Sequence, residues 1–234
     1  AARRQFAADG LTFERMAAVD GRVMPAAELA RLAPWDPAAF YQPLSPGEVG
    51  CYLSHLAALR RMVSAGWPRM LVLEDDFAFA EGLLPALESL LAFPGEVPDL
   101  IKLEGSLPGG ETVATLSSGH RLMRHRRPPI HATAVLWSLE GARRFLAVSE
   151  TLRRPIDVQM KHWWEGDLRI LTLSPAVVRL HPVSAEASTI GVRRTVGIGG
   201  RLRRLSYCLR FAFASHWHTL RRHGFGGWKR ACLG

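Results

Sequence analysis

The chain of 234 residues has few cysteines and no long apolar run, and each absence excludes a class of protein. Its three cysteines, Cys51, Cys208 and Cys232, are too scattered for a disulfide framework or a zinc site, which indicates a reducing compartment. No uncharged apolar stretch approaches the roughly 18 residues of a transmembrane helix. No apolar signal-peptide segment follows residues 1–4. With 48% hydrophobic residues, the composition is that of a globular protein with one substantial core.

Acidic residues are also absent from the last part of the chain, after Glu186. That part holds ten basic residues: Arg193, Arg194, Arg201, Arg203, Arg204, Arg210, Arg221, Arg222, Lys229 and Arg230. The formal net charge is +9, but residues 1–186 hold 20 basic and 21 acidic residues and are nearly neutral. A nucleic-acid-binding core would need basic residues on this body. The asymmetry therefore favours a separate electrostatic function at the C-terminus.

Three consecutive carboxylates, Glu74, Asp75 and Asp76, follow a short apolar run at 70–73. The run comes directly after turn residues, so it predicts a buried strand of an α/β sheet. The carboxyl end of such a strand is where open α/β sheets bind ligands. Because adjacent carboxylates repel, three in a row need water, cationic side chains or a metal ion. Hard oxygen ligands suit Mg²⁺ or Mn²⁺, and a solvated acidic turn is the alternative.

A helix predicted over residues 45–66 precedes this strand and has signals at both ends. Ser45 and Glu48 fit a Ser-x-x-Glu capping box, with Pro46 in the first turn. Gly66 suits the position just after the last helical residue. Apolar residues at helical spacing predict one buried face: Val49, Tyr52, Leu53, Leu56, Leu59 and Val63.

Helices and strands alternate along the rest of the body. The predicted strands span 99–104, 132–137, 169–173 and 176–180. The predicted helices span 81–92, 139–150 (capped by Ser138) and 158–164. A looser stretch rich in Gly and Arg, 105–128, connects two of the strands. This alternation predicts a three-layer α/β fold with a mostly parallel sheet.

Residues 201–223 have apolar side chains at near-helical spacing among arginines: Leu202, Leu205, Leu209, Phe213, Trp217 and Leu220. Phe213 and Trp217 beside a wholly cationic polar face suit a helix lying on an anionic membrane. A helix packed on the body with its arginines in water is the alternative. The chain is accordingly divided into a body, 1–190, and a basic amphipathic tail, 191–234.

Four segments of the body occur in an order known from one enzyme family. They are 13–15 with 18–22, 44–55, 71–76 and 99–104, with weaker matches at 133–142 and 155–157. Together they resemble glycosyltransferase family 25, the bacterial lipopolysaccharide glycosyltransferases related to collagen galactosyltransferases. The resemblance spans roughly residues 3–190. Family members open with a strand, approximately Val-Ile-Asn-Leu-Asp-Arg, that would contribute to the nucleotide site, and this sequence lacks it ahead of Arg3 and Arg4.

The resemblance implies a GT-A-like nucleotide-sugar fold, a divalent Mn²⁺ or Mg²⁺ ion and inversion at the anomeric carbon. In such a transfer the acceptor hydroxyl attacks the sugar C1 as the nucleoside diphosphate leaves, and the cation offsets the developing charge. Asp75 and Asp76 are the implied metal residues, with Asp76 as the direct ligand. Glu74 is the implied contact to the sugar or ribose.

The acceptor hydroxyl also needs a general base. Asp157 is the first candidate, because it matches the family position after Pro-x at a loop-to-helix junction. An N-cap role for Asp157 is the structural alternative, and the two roles are compatible. Glu104, at the end of its predicted strand, is the rival base.

The remaining candidates are contacts to donor or substrate. The resemblance implies such a contact for Ser54 and His55, with a structural role as the alternative. Lys102 is predicted to face either a salt bridge or the donor phosphate. His181 is a candidate third metal ligand. The pair at 163–164, both Trp, either stacks on a sugar or packs in the core.

The leading hypothesis is transfer of galactose or glucose from a UDP-sugar to a lipopolysaccharide or lipooligosaccharide acceptor. The expected location is the cytoplasm, peripheral on the inner membrane through the basic tail. A catalytically silent, membrane-associated paralogue that binds glycan or protein is the alternative, because the opening strand is missing. A metal-dependent phosphohydrolase would need an aspartyl nucleophile after its first strand, and no nucleic-acid partner is expected.

Overall fold

The computed structural model describes Phe6 and residues 10–105, 107, 109–181 and 197–233. A short 3-10 turn, Gly21–Val23, precedes the helix at Ala26–Leu32. The helices are α1 (Ala26–Leu32), α2 (Pro46–Ala65), α3 (Leu83–Leu91), α4 (Leu139–Ala147), α5 (Ile156–Lys161) and α6 (Ile198–Leu233). The strands are β1 (Arg69–Leu73), β2 (Phe77–Phe79), β3 (Leu100–Lys102), β4 (Glu111–Thr115), β5 (Arg121–Arg124), β6 (Ala134–Ser138), β7 (Ile170–Ser174) and β8 (Val178–Leu180).

The central sheet has six strands in the order β1-β6-β3-β7-β5-β4, and β2 pairs with β8 in a small second sheet. Among the described strands of the central sheet, β3 and β7 are the only parallel neighbours. The α/β class is therefore confirmed. The prediction of a mostly parallel sheet is wrong, because the sheet is mixed.

The path of the chain between β5 and β6 explains this difference. Residues 125–133 cross the sheet without a helix: His125 Nε2 lies 2.9 Å from Thr172 Oγ1 on β7, and Lys102 Nζ on β3 donates to the carbonyl of Pro129 at 2.8 Å. The crossing returns the chain to the edge where β3 ends. Strand β6 therefore begins at that edge and runs antiparallel to both β1 and β3.

Helices cover both faces of the sheet. Along β6, Val135 and Trp137 face a core built with α2, α4 and α5, whereas Ala134 and Leu136 face a second core built with α3 and the small sheet. The alternation follows from the two-residue period of a strand. The near-continuous apolar sequence of β6 is thus explained by burial on both faces.

Helix α2 has the predicted ends. The Ser45 side chain accepts a hydrogen bond from the N–H of Glu48, whose carboxylate accepts from the N–H of Ser45, and Gly66 adopts the left-handed conformation with φ 67°. The first turns of α2 contact residues 19–21 without a side chain between the backbones. A Cβ at Gly21 would lie 1.9 Å from the carbonyl oxygen of Pro46, and one at Gly50 would lie 2.4 Å from that of Val19.

Several elements differ from the sequence prediction. The stretch 105–128 contains the hairpin β4–β5, which was predicted as a connection because its strands are partly exposed and carry little apolar alternation. Helix α1 and strand β2 were not predicted. Helix α4 ends earlier than expected, at Ala147, and Ser138 caps it as predicted by accepting from the N–H of Gly141.

Helix α6 lies against the body and bends at Gly224, where φ is 65° and ψ is 179°. Its inner face includes Ser215 and Thr219, both buried. Within the described parts of the chain, no helix has the length and apolar character to cross a membrane. The expected boundary between body and tail, at residue 190, lies outside the described residues, as do Arg3 and Arg4 of the resemblance.

Candidate functional site

Two carboxylates meet where β1 and β3 end and β6 begins. The N–H of Glu74, just after β1, donates to the carbonyl of Thr133 at 2.9 Å. The Glu104 carboxylate, just after β3, accepts from the N–H of Ala134 at 3.0 Å. Because β6 is antiparallel to both neighbours, β1 and β3 point in the same direction. The acidic residues that follow them therefore collect at one edge of the sheet. We call Glu74, Asp75, Asp76, Glu104 and Asp157 together the acidic edge.

Helix α2 orients Glu74 through two side chains one turn apart. His55 Nε2 lies 3.0 Å from Glu74 Oε1, and the Cys51 thiol donates to the same oxygen at 3.6 Å. Burial alone would raise the pKa of Glu74, but His55, together with the Cys51 hydrogen bond and the charge of His131, outweighs it and holds the pKa below its usual value. Burial and the charge of Glu74 raise the pKa of the Cys51 thiol, which therefore stays protonated as a donor. Glu74 is thus a positioned, ionised carboxylate.

Asp76 lies between β1 and β2, with its carboxyl group partly buried. Its carbonyl accepts from the N–H of His181 at 2.7 Å, so the backbone of His181 lies beside the acidic triplet, and its role as a third metal ligand stays a prediction. Burial, followed by the charges of Glu74 and Asp75, raises the pKa of Asp76. Within the described residues, Asp76 Oδ1 is buried and has no hydrogen-bond partner. Asp75 is exposed.

Lys102 and Glu104 form a buried pair on β3 and just after it. Lys102 is 0% exposed and Glu104 is 2% exposed. The Lys102 ammonium donates to the carbonyls of Pro129 and His131 and lies 4.0 Å from Glu104 Oε1. Of the two predicted environments, Lys102 therefore lies in the salt-bridge arrangement.

Burial sets the protonation of this pair. It raises the pKa of Glu104 to about 7, although the nearby Lys102 lowers it, and it lowers the pKa of Lys102. Within the described part of the chain, Glu104 Oε1 has no hydrogen-bond partner. The two opposite charges compensate each other inside the protein, and the shifted pKa of each group reflects the cost of removing it from water.

Asp157 reaches the acidic edge from the first turn of α5. Its negative charge raises the pKa of the Cys51 thiol. It also raises the pKa of Lys102 and of Lys161, which burial lowers. Asp157 therefore lies within electrostatic reach of all three groups. The alternative N-cap role is wrong, because Pro155 occupies the N-cap. Asp157 Oδ1 instead accepts from the N–H of Val158 at 2.8 Å. The carboxyl group is partly exposed.

Ser54 and residues 163–164 have structural partners. The Ser54 hydroxyl accepts from the N–H of Val19 at 2.9 Å and donates to the carbonyl of Gly50 at 2.8 Å, which ties residues 19–21 to α2. Trp163 is buried in the core, and Trp164 stacks on His218 of α6 with ring centroids 5.3 Å apart. The core-packing interpretation therefore describes the tryptophan pair. A substrate contact by Ser54 stays a prediction.

Three residues of the site were not predicted. Cys51 could have been found, because it lies four residues before His55 and therefore on the same helix face. His131 lowers the pKa of Glu74 and of Asp76 through its charge, and Lys161 lies within reach of Asp157. No local pattern indicates His131, since a loop brings it to the edge.

The acidic edge fits a hard divalent cation. Its donors are carboxylate oxygens, which Mn²⁺ and Mg²⁺ prefer. The buried Asp76 Oδ1 has no partner in the described residues. A cation would offset both the burial and the repulsion by Glu74 and Asp75 that raise the pKa of Asp76. Cys51, His55 and Glu74 also bring one ligand atom each within 4.8 Å of one another, but the first two already hold Glu74.

A mixed α/β sheet with acidic side chains at one edge is consistent with the Rossmann-like fold of glycosyltransferases. Comparison with known families agrees with this class. The sequence matches the profile described as glycosyltransferase family 25 (LPS biosynthesis protein) over residues 1–160. The chain belongs to this family, which confirms the resemblance.

Curated relatives include proteins named as inactive. The chain is 27% identical to a probable inactive glycosyltransferase 25 family member 3 of Rattus norvegicus, covering 68% of this chain and 31% of that protein. It is 30% identical to the Bos taurus protein of the same name, covering 68% and 30%. It is 37% identical to a glycosyltransferase 25 family member of Anopheles gambiae, covering 30% and 13%. The chain thus spans under a third of the length of these relatives.

Proposed function

We propose that this chain is a GT-A-like glycosyltransferase that transfers galactose or glucose, with inversion, from a UDP-sugar to a lipopolysaccharide or lipooligosaccharide acceptor. The observation that carries the proposal is the acidic edge. Three separate parts of the fold, namely the segment after β1, the segment after β3 and helix α5, supply its carboxylates. Two of their oxygens, on Asp76 and Glu104, are buried without a hydrogen-bond partner in the described residues. A bound cation would give these oxygens the partner that buried polar atoms normally have.

Asp75 and Asp76 would hold Mn²⁺ or Mg²⁺ in this proposal. The bound cation would offset negative charge on the leaving diphosphate. Glu74, held ionised by His55, would accept hydrogen bonds from hydroxyls of the sugar or ribose. The fixed position of Glu74 would orient the donor, because His55 and Cys51 of α2 and the end of β1 hold it from two sides.

Accessibility favours Asp157 over Glu104 as the general base. A base must reach the acceptor hydroxyl, and the Asp157 carboxyl is partly exposed whereas Glu104 is 2% exposed. Glu104 has the pKa better suited to a base near neutral pH, about 7, but one of its oxygens is committed to the N–H of Ala134. We therefore assign proton acceptance to Asp157 and a positioning role, through Lys102 and the start of β6, to Glu104.

A catalytically silent protein that binds glycan or protein is the second candidate. Two observations favour it: the names of the mammalian relatives, and the way Lys102 and His55 already compensate Glu104 and Glu74 without a metal. Such a protein would retain the acidic edge as a binding site but would release no UDP from any donor.

Release of UDP separates the two candidates. The chain is incubated with a panel of UDP-sugars and a lipooligosaccharide acceptor, with Mn²⁺ or with a chelator. The proposal expects acceptor-dependent UDP release with one donor, abolished by the chelator. Asp157→Asn should lower kcat by about 10²-fold with donor binding little changed, whereas Asp36→Asn, outside the edge, should have no effect.

Three outcomes would contradict these assignments. Absent UDP release across the panel, with the donor still bound in calorimetry, would support the silent protein. Mn²⁺-independent release would instead contradict the metal assignment. The third outcome is a fall of kcat/KM as the pH drops through about 7. If Glu104→Gln abolishes this pH dependence and Asp157→Asn does not, Glu104 is the base.

A further inference from the structure

Helix α6 has an inner face that fixes its orientation on the body. The Ser215 hydroxyl donates to the carbonyl of Arg126 at 3.0 Å, and the Arg222 guanidinium donates to the carbonyl of Leu168 at 2.7 Å. Arg222 also lies over the Trp163 ring, 4.5 Å from its centroid. Since these contacts involve separate turns, they determine which side of the helix faces away from the body.

The outward side carries a continuous row of large apolar side chains, which we call the outer stripe. Its members recur every three or four residues and are all exposed: Ile198, Leu202, Leu205, Leu209, Phe213, Trp217 and Leu220. Ile198 is 79% exposed and Phe213 is 72% exposed. The stripe runs for about 33 Å along the helix axis. Single exposed apolar residues are ordinary, but a contiguous row of this length marks an interaction surface.

Arginines flank the outer stripe along one side. At about 100° per residue, Arg203, Arg210 and Arg221 lie in one row beside it, and all three are exposed. Arg203 also lies over the Trp35 ring and Arg210 donates to the carbonyl of Ala38, so these two stand where the helix meets the body. No acidic residue occurs after Glu186, so the helix offers these cations no acidic neighbour of its own. Apolar side chains beside a row of arginines complement a surface that is apolar inside and anionic at its boundary.

We propose that the outer stripe lies on the surface of an anionic lipid bilayer, with α6 parallel to the membrane plane. The apolar side chains enter the boundary between headgroups and acyl chains, and Arg203, Arg210 and Arg221 contact anionic headgroups. A second copy of the chain is disfavoured as the occupant, because it would bring the same cationic row against itself. The inference is independent of catalysis, since it concerns the face opposite the body.

The test uses vesicles of phosphatidylcholine alone and of phosphatidylcholine mixed with phosphatidylglycerol. The full chain should co-sediment with the mixed vesicles, and less so as salt is raised. Leu202→Glu with Leu209→Glu should weaken this binding at least about tenfold. The matched control, Val23→Glu with Leu91→Glu, places the same charges at exposed apolar positions of the body and should bind like the wild type.

The arginine row is tested separately. Replacing Arg203, Arg210 and Arg221 with Gln should weaken binding to the mixed vesicles by about fivefold per arginine and remove most of its salt dependence. Circular dichroism and thermal melting confirm that each variant is folded. The proposal is overturned if the wild type does not co-sediment, or if the Leu202→Glu, Leu209→Glu variant binds equally well. It is also overturned if sedimentation shows a wild-type dimer that this variant abolishes, since the stripe then belongs to a second copy.

Discussion

The acidic edge and helix α6 both concentrate charge of one sign, but they differ in how far that charge is buried. At the edge, all the carboxylates except that of Asp75 are partly or fully buried, and Lys102 and His55 compensate two of them. In α6 the cations come from one continuous segment, and most remain exposed. Buried charge alters pKa values and depends on its partners, whereas exposed charge is screened by water and salt. The first arrangement suits chemistry on a bound ligand, and the second suits attraction to a surface.

The largest expected effect tests the edge as a metal site. Asp76→Asn should lower Mn²⁺-dependent transfer by about 10³-fold and leave the fold intact, because it removes the buried carboxylate oxygen that lacks a partner in the described residues. Transfer assays and Mn²⁺ calorimetry measure the two consequences. Asp36→Asn serves as the control. Normal turnover with normal metal dependence in the Asp76 variant would exclude this assignment.

Removal of a buried cation should cost more than removal of an exposed one. Lys102→Met should lower the free energy of unfolding by about 3 kcal/mol, because it leaves a buried carboxyl group and two carbonyls without their cation. Urea unfolding gives the value. The double variant with Glu104→Gln should recover part of the loss. A cost below about 1 kcal/mol would show that water already reaches this pair.

The pH dependence of stability should report Glu104. Folding raises the pKa of Glu104 from its usual 4.5 to about 7, so the folded state binds this proton more tightly than the unfolded state. Its contribution to stability is fully present below pH 4.5 and is lost as the pH rises through about 7. Glu104→Gln should remove about 2 to 3 kcal/mol of this dependence in urea unfolding across that window. The exposed Glu81→Gln should keep the wild-type slope, and an unchanged slope in Glu104→Gln would contradict the assignment.

The smallest effect belongs to the exposed charge of α6. Arg230 pairs with Glu111 at 2.6 Å and is 63% exposed. Arg230→Gln should therefore lower the free energy of unfolding by at most about 1 kcal/mol, and less at high salt. The same urea measurements apply. A cost comparable to that of Lys102→Met would show that the two regions do not differ as we describe.

Local patterns predicted the helices well and the sheet less well. The capping box of Ser45 and Glu48 and the cap of Ser138 need only neighbouring residues, so the sequence indicates them directly. The direction of β6 depends on how residues 125–133 cross β7 and β3, and no local pattern encodes such a crossing. The hairpin β4–β5 was missed for a related reason, since β5 joins the sheet by pairing with β7, which comes much later in the sequence.

The acidic edge was predictable in part despite the wrong sheet direction. Glu74 and Glu104 each follow an apolar run, and β1 and β3 remain co-directional because β6 lies antiparallel between them. What the sequence could not supply is the pairing of side chains. The course of the loops decides whether Lys102 faces Glu104 or a ligand, and it also brings His131 to the edge. That course is set by the whole fold.

The close contact between residues 19–21 and helix α2 has a consequence for how the sequence is able to vary. At Gly21 and Gly50 even a methyl group would overlap a backbone carbonyl, and backbone atoms cannot rotate away as a long side chain does. Single substitutions at either position should therefore be rejected in a saturation library screened for folded protein. Exposed Gly119 has no heavy atom within 4 Å of the place a methyl group would take, but its φ is 82°, so it should tolerate Asn and reject β-branched residues. At Gly21 and Gly50 the lack of space thus limits which residues can replace glycine, and at Gly119 the backbone φ angle alone does so.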